Sequence, residues 1–150
     1  MKKPPKIDKL EEVLMSSKLV RGGFLGIDKR SVAEIINADA FDVSKLGYDT
    51  TQIAGKMQEI TDIAKTGMGT WVAVDDKRKA MTQEAKGMLV CPWPHPAGFD
   101  KRVTTVKLVD SKDTIYWADL NIHLISEHGF FEGKGSDFRI EPQELIKIIF

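Results

Sequence analysis

In residues 1–67 apolar positions recur every three or four residues, and the breaks between them read as helix ends. Asp8 with Glu11 has the form of a capping box. Leu10, Val13, Leu14 and Ser17 then mark one face of a helix that Gly22-Gly23 stops. Asp28 is placed to cap a second helix carrying Val32, Ile35 and Ile36. Asp49 or Thr50 is placed to cap a third, whose stripe Ile53, Met57, Ile60, Ala64 ends at Gly67.

From Thr70 the period shortens. Trp71 to Val74 predicts a short strand, Asp75-Asp76-Lys77 a turn, and Ala80 to Cys91 a long strand with a bulge at Gly87. Pro92, Pro94 and Pro96 forbid regular structure. Arg102–Val109 and Thr114–Trp117 flank Asp110-Ser111-Lys112-Asp113 as a hairpin. Asp119 is expected to cap a helix over Leu120–His128 that Gly129 stops. Pro142 suits the first position of a last helix, with Leu145, Ile146 and Ile149 facing inward and Phe150 extending the stripe.

Helices, then antiparallel strands, then helices make an α+β pattern, unlike the alternation of a parallel sheet. The expected fold is an N-terminal helical layer on an antiparallel sheet of about four strands, with two C-terminal helices. Residues 1–150 fit one domain, with a helical part at 1–67 and a strand-then-helix part at 70–150. Gly67-Met68-Gly69 is the place where two lobes could part.

Charge narrows the partners. Lys plus Arg and Asp plus Glu both number 22, so the whole chain has no field to attract a polyanion, and no nucleic acid is expected as a partner. No apolar run has signal-peptide character or approaches the roughly 18–20 residues of a membrane span, so no membrane association is expected. The one cysteine excludes an internal disulfide and suits a reducing compartment, so the chain is read as cytoplasmic.

The residues able to do chemistry fall in two segments. Cys91-Pro-Trp-Pro-His95 holds the cysteine and one histidine, and Trp117 to Arg139 holds His123 and His128. Thiolate and imidazole are ligands that zinc prefers, so Cys91, His95, His123 and His128 form a candidate metal set. Against it, His123 and His128 lie five residues apart and point ~140° apart on a regular helix. His128 can instead favour the negative helix end. His123 can sit between Asp119 and Glu127, and Cys91 can be a small buried apolar residue. Together these plainer roles outweigh the metal, and no cofactor is expected.

Gly133-Lys134-Gly135-Ser136, closed by Arg139, suggests a second site, although the plainer account, a helix-to-helix connection whose glycines permit tight turns, is favoured for these residues. Its glycines can turn backbone N–H groups inward toward a phosphate or carboxylate, with Lys134, Ser136 and Arg139 gripping it. The leading expectation is a cytosolic domain that binds, or binds and acts on, a small anionic molecule. His123 and His128 are its catalytic candidates, and Trp93 walls the ligand site. The alternative is a non-catalytic interaction module with Trp93 as anchor, stabilised by zinc through the Cys/His set.

Overall fold

The structure, a computed structural model, describes Leu10, Leu14 and residues 23–95 and 97–150. Leu10 and Leu14 are helical, and Leu14 is fully buried. The rest of the first expected helix, with its Asp8 cap, lies outside the described residues.

Four helices and four strands follow. Helix α1 is Val32–Lys45, α2 is Thr50–Lys65, α3 is Asp119–His128 and α4 is Pro142–Ile149. Strand β1 is Val72–Ala73, β2 is Arg78–Val90, β3 is Gly98–Leu108 and β4 is Thr114–Ala118. The strands form one antiparallel sheet in the order β1-β2-β3-β4. The α+β architecture thus follows the sequence pattern, and among the described residues up to 67 there is no strand.

The helix starts show how local chemistry sets boundaries. Asp49 caps α2: its carboxylate accepts from the Gln52 N–H at 2.8 Å, and its own N–H donates to Gln52 Oε1 at 3.0 Å. Helix α1 is capped by Ser31 rather than Asp28. Ser31 Oγ accepts from Glu34 N at 3.2 Å, and the Glu34 carboxylate takes the Ser31 N–H. Asp28 is occupied elsewhere, by the Arg30 guanidinium at 2.7 and 2.9 Å and by the Lys134 N–H at 3.1 Å. Asp119 is likewise not the cap of α3. Ala118 holds that position, and Asn121 Oδ1 takes the Ala118 N–H at 2.7 Å.

The main core lies between α2, α4 and one sheet face. Ile53, Met57, Ile60 and Ala64 of the predicted stripe are fully buried. They pack in one cluster with Ala80, Val106 and Trp117 of the sheet and Leu145, Ile146 and Ile149 of α4. Burying each large aliphatic contributes about 1.5–3 kcal/mol. Because this core joins α2 to the strands, the turn at Gly67-Met68-Gly69 does not divide the packing. Phe150 stays 40% exposed and stacks on Tyr48 at 4.3 Å instead of entering the core. Thr61 fixes α2 on the sheet, accepting from the Trp117 indole N–H and bonding Thr104 Oγ1, both at 2.9 Å.

A second cluster positions the site. Leu14, Phe24, Leu25, Val32, Ile35, Cys91, Leu120, Leu124 and Phe130 are buried together, with Leu89, Trp93 and Phe99 against them. Strands β2 and β3 extend as a two-stranded arm whose register shifts between Ala85 and Met88, where Gly87 takes φ 103°. The arm's tip meets α3 in this cluster. Among the described residues, no helix is long and apolar enough to cross a membrane.

Candidate metal centre

The tip of the arm is a tight knuckle. Cys91 N donates to Ala97 O at 3.0 Å, and His95 N donates to Trp93 O at 2.8 Å. Pro92 and Pro94 fix φ between these bonds, so Cys91 and His95 point the same way. Their side chains touch, Sγ to Nε2, at 3.3 Å.

Helix α3 supplies the other side. It ends at Gly129 in the left-handed region (φ 62°). There the Phe130 N–H bonds Leu124 O and the Gly129 N–H bonds Ile125 O. His128 is the last helical residue, and His123 lies five positions earlier. The knuckle crosses the helix end between them. His95 Nε2 is 3.1 Å from His128 Nε2 and 3.4 Å from His123 Nε2, while Cys91 Sγ is 3.5 Å from His128 Nε2. The four donor atoms all lie within 4.8 Å of one another. The angular objection raised by the helical period is overcome because His95 bridges the two directions.

The four separations of 3.1–3.5 Å are close to the edges of a coordination polyhedron, and the other two lie within 4.8 Å. A tetrahedral zinc with bonds of about 2.05 Å to nitrogen and 2.3 Å to sulfur sets its nitrogens about 3.3 Å apart and nitrogen from sulfur about 3.6 Å. A hydrogen bond between two Nε2 atoms needs opposite tautomers on the two rings, whereas a cation at the centre can accept a lone pair from all three imidazoles at once.

Electrostatics prepares the donors for a cation. Burial, then the neighbouring His123 and His95, push the His128 imidazole down to about 4, against the opposing pull of Glu127. His123 is lowered for the same reasons, burial first and His95 next. Both are therefore neutral at pH 7, with a lone pair to give. Burial raises the Cys91 thiol, and the Trp93 backbone N–H works against that shift. A bound cation would convert this thiol to thiolate, as coordinating thiols generally require.

Aromatic rings hold the imidazoles. Trp93 stacks on His128 at 4.0 Å with 10° between the planes and meets Phe130 edge-on at 5.4 Å. Phe99 lies 4.7 Å from His123. Trp93 is thus packed along the site and half-buried, rather than projecting as a free anchor. A cavity of about 260 Å³ opens beside His123, lined by Gln58, Phe99, Asp119, Ile122 and Glu127.

The second candidate segment is built differently. The Arg139 guanidinium grips Asp39 through two bonds at 2.5 and 2.9 Å, and also bonds Glu141 and the Glu132 carbonyl. Its side chain is only 7% exposed and that of Asp39 only 3%. Ser136 Oγ donates to the buried Glu132 carboxyl at 2.6 Å, and Asn121 Nδ2 donates to the same group at 2.8 Å. The Lys134 N–H goes to Asp28 and the Ser136 N–H to Gly133 O. Lys134 alone is left exposed. The glycines serve close packing: a Cβ on Gly133 would sit 2.3 Å from Leu25 O, where the Gly133 N–H bonds Phe24 O. The expected anion contacts of Arg139 and Ser136 are therefore committed inside the protein. The structure joins His123 and His128 to Cys91, His95 and Trp93, and does not join them to Lys134, Ser136 and Arg139.

Asp39 and Glu132, the residues that decide this difference, carried no signal in the sequence. Asp39 lies 100 positions from Arg139. No family model, curated protein or solved structure matches this chain.

Proposed function

We propose that this chain is a zinc-stabilised interaction module, with Cys91, His95, His123 and His128 as the four ligands. The observation that carries the reading is the convergence of one sulfur and three imidazole nitrogens within 4.8 Å, with four of the six separations near the edge lengths of a tetrahedron. A mixed sulfur and imidazole set of four selects zinc by geometry and softness, and four protein ligands close the site in the manner of structural zinc. The ion would cross-link the arm tip to α3, adding to the apolar packing there and to the Arg102–Asp119 ion pair that ties β3 to the start of the helix. A reducing compartment such as the cytoplasm would keep the lone thiol available as a ligand.

Elemental analysis of untagged protein, purified without chelator and then offered zinc, tests this directly. About one equivalent of zinc is expected in the wild type, and less than about a tenth in His95→Ala/His128→Ala. Wild-type protein with less than about a tenth of an equivalent would overturn the reading.

A further inference from the structure

The sheet has one face against the helices and one open. Register places Ala73 of β1, Lys79, Met81, Gln83 and Ala85 of β2, Lys101, Val103, Thr105 and Lys107 of β3, and Thr114 and Tyr116 of β4 on the open side. No Asp or Glu occupies any of these strand positions; Glu84 and Asp100 pair with Arg102, and Glu84 and Asp137 border the face at its groove. The chain's overall balance of 22 basic and 22 acidic residues therefore hides a segregation by face.

Two features of this face are left unexplained by folding. Lys79 and Lys107 are directly opposite each other on neighbouring strands. Like charges so placed destabilise a sheet. Neither lysine, nor Lys101, has an ion-pair partner among the described residues. The next row across the sheet is uncharged, and its Tyr116 hydroxyl donates to Asp137 O at 2.8 Å. Met81 pairs with Thr105 and Thr105 with Tyr116, while Trp71 lies at the β1 end with the Lys79 ammonium 5.3 Å over its ring. Trp71 is 43% exposed and Tyr116 46% exposed. A groove of about 460 Å³ continues the face past Val103, between Lys101 and Phe138.

We propose that this open face binds single-stranded nucleic acid, with Lys79 and Lys107 taking backbone phosphate and Trp71 stacking a base. Aromatic rings beside lysines without a carboxylate partner among the described residues, on an exposed sheet, match the two requirements of an unpaired strand, a surface for base faces and charge for its phosphates. A polyanion also removes the repulsion between Lys79 and Lys107. Among the described residues no helix lies on this face to enter the groove of a duplex. This names a partner class for the module reading, yet the residues involved lie at the opposite end of β2 from Cys91.

The test uses the metal-loaded full chain and labelled mixed-sequence RNA and DNA of about 12 nucleotides, read by fluorescence anisotropy at about 50 mM salt and above. Wild type should bind, more weakly as salt rises. Lys79→Gln/Lys107→Gln should weaken binding at least about tenfold and flatten the log–log salt slope by about 1.4, the value for two phosphates of a single strand. Trp71→Ala should weaken binding at least about fivefold and leave that slope unchanged. Thermal melts of each variant confirm folding, and Trp71→Leu and Lys79→Ala/Lys107→Ala serve if a first variant does not fold. No binding by the wild type, or binding indifferent to both changes, overturns the proposal. So does equal binding of polyglutamate, or of phosphatidylserine vesicles without oligonucleotide binding. Zinc content of the same sample is measured separately, so failure here and failure of the metal reading are distinguishable.

Discussion

The Cys91–His128 cluster and the Gly133–Arg139 loop carry similar polar inventories and end in opposite states. In the loop, Arg139 meets Asp39, Ser136 meets Glu132 and the Lys134 N–H meets Asp28, and the Lys134 side chain is exposed. In the cluster, four groups able to donate an electron pair face one another, and no Lys or Arg of the described residues is paired with them. A polar set that the fold satisfies is structure, and one whose shared demand it leaves open is the better candidate for a ligand.

The sharpest way to break this comparison is to remove Arg139. If it is structural, Arg139→Ala leaves Asp39 charged, buried and unpaired, and should cost about 3–5 kcal/mol in chemical denaturation. Lys134→Ala, at an exposed position of the same loop, should change stability by less than about 0.5 kcal/mol. A free anion site would reverse the pattern, with both variants folded and stable.

Glu132 gives the loop a pH signature. Burial pushes its carboxyl up to about 7 from an ordinary value of 4.5, against the hydrogen bonds from Ser136 and Asn121. A carboxyl whose pKa is higher in the fold contributes stability that is fully present below its unfolded value. That contribution is lost as pH rises from about 4.5 through about 7. The stability of the wild type relative to Glu132→Gln should therefore fall by up to about 3 kcal/mol between pH 4.5 and pH 8. Urea titrations at several pH values measure it, and a flat difference would show that Glu132 is ionised throughout.

The metal cluster should respond to chelation where the loop does not. Zinc at 100 times its dissociation constant adds about 2.7 kcal/mol to the folded state. Stripping it should lower the melting temperature of the wild type and leave that of His95→Ala/His128→Ala unchanged. Equal melting of the wild type with and without chelator would place the two regions in the same class.

How much of this was legible depended on the range of each interaction. The α2 stripe, the β3–β4 hairpin and the Pro142 start were readable because helical period, turn residues and φ restriction act within a few positions. Ser31-x-x-Glu34 was also present as a capping box, but Asp28, an equally good cap by type, drew the boundary three residues early. The donors of the cluster were all visible as residue types. Their convergence was not, because the rotation of a regular helix sets His123 and His128 apart and only the placement of His95 across the helix end reunites them. The Arg139–Asp39 pair had no local trace at all, so Gly-Lys-Gly-Ser read as a binding loop when its glycines were answering to the chain at Phe24 and Leu25.

The smallest expected effect is at Trp93, and it refines what belongs to the cluster. Its indole stacks on His128 and meets Phe130, so it holds the imidazole in place without supplying a ligand. Such an aromatic contact contributes about 0.5–1.5 kcal/mol beyond its buried area. Trp93→Phe keeps a ring against His128 and should behave nearly as wild type in both stability and zinc affinity. Trp93→Leu loses the stack and should weaken zinc binding by about tenfold or less, consistent with a contact of about 1 kcal/mol. His128→Ala, which removes a ligand, should weaken it far more. Competition with a chromogenic chelator reads all three. If Trp93→Leu matched His128→Ala, the ring would be required to form the site. If it left zinc affinity and stability untouched, Trp93 would be free of the cluster and available as the partner-facing anchor that its place between two prolines first suggested.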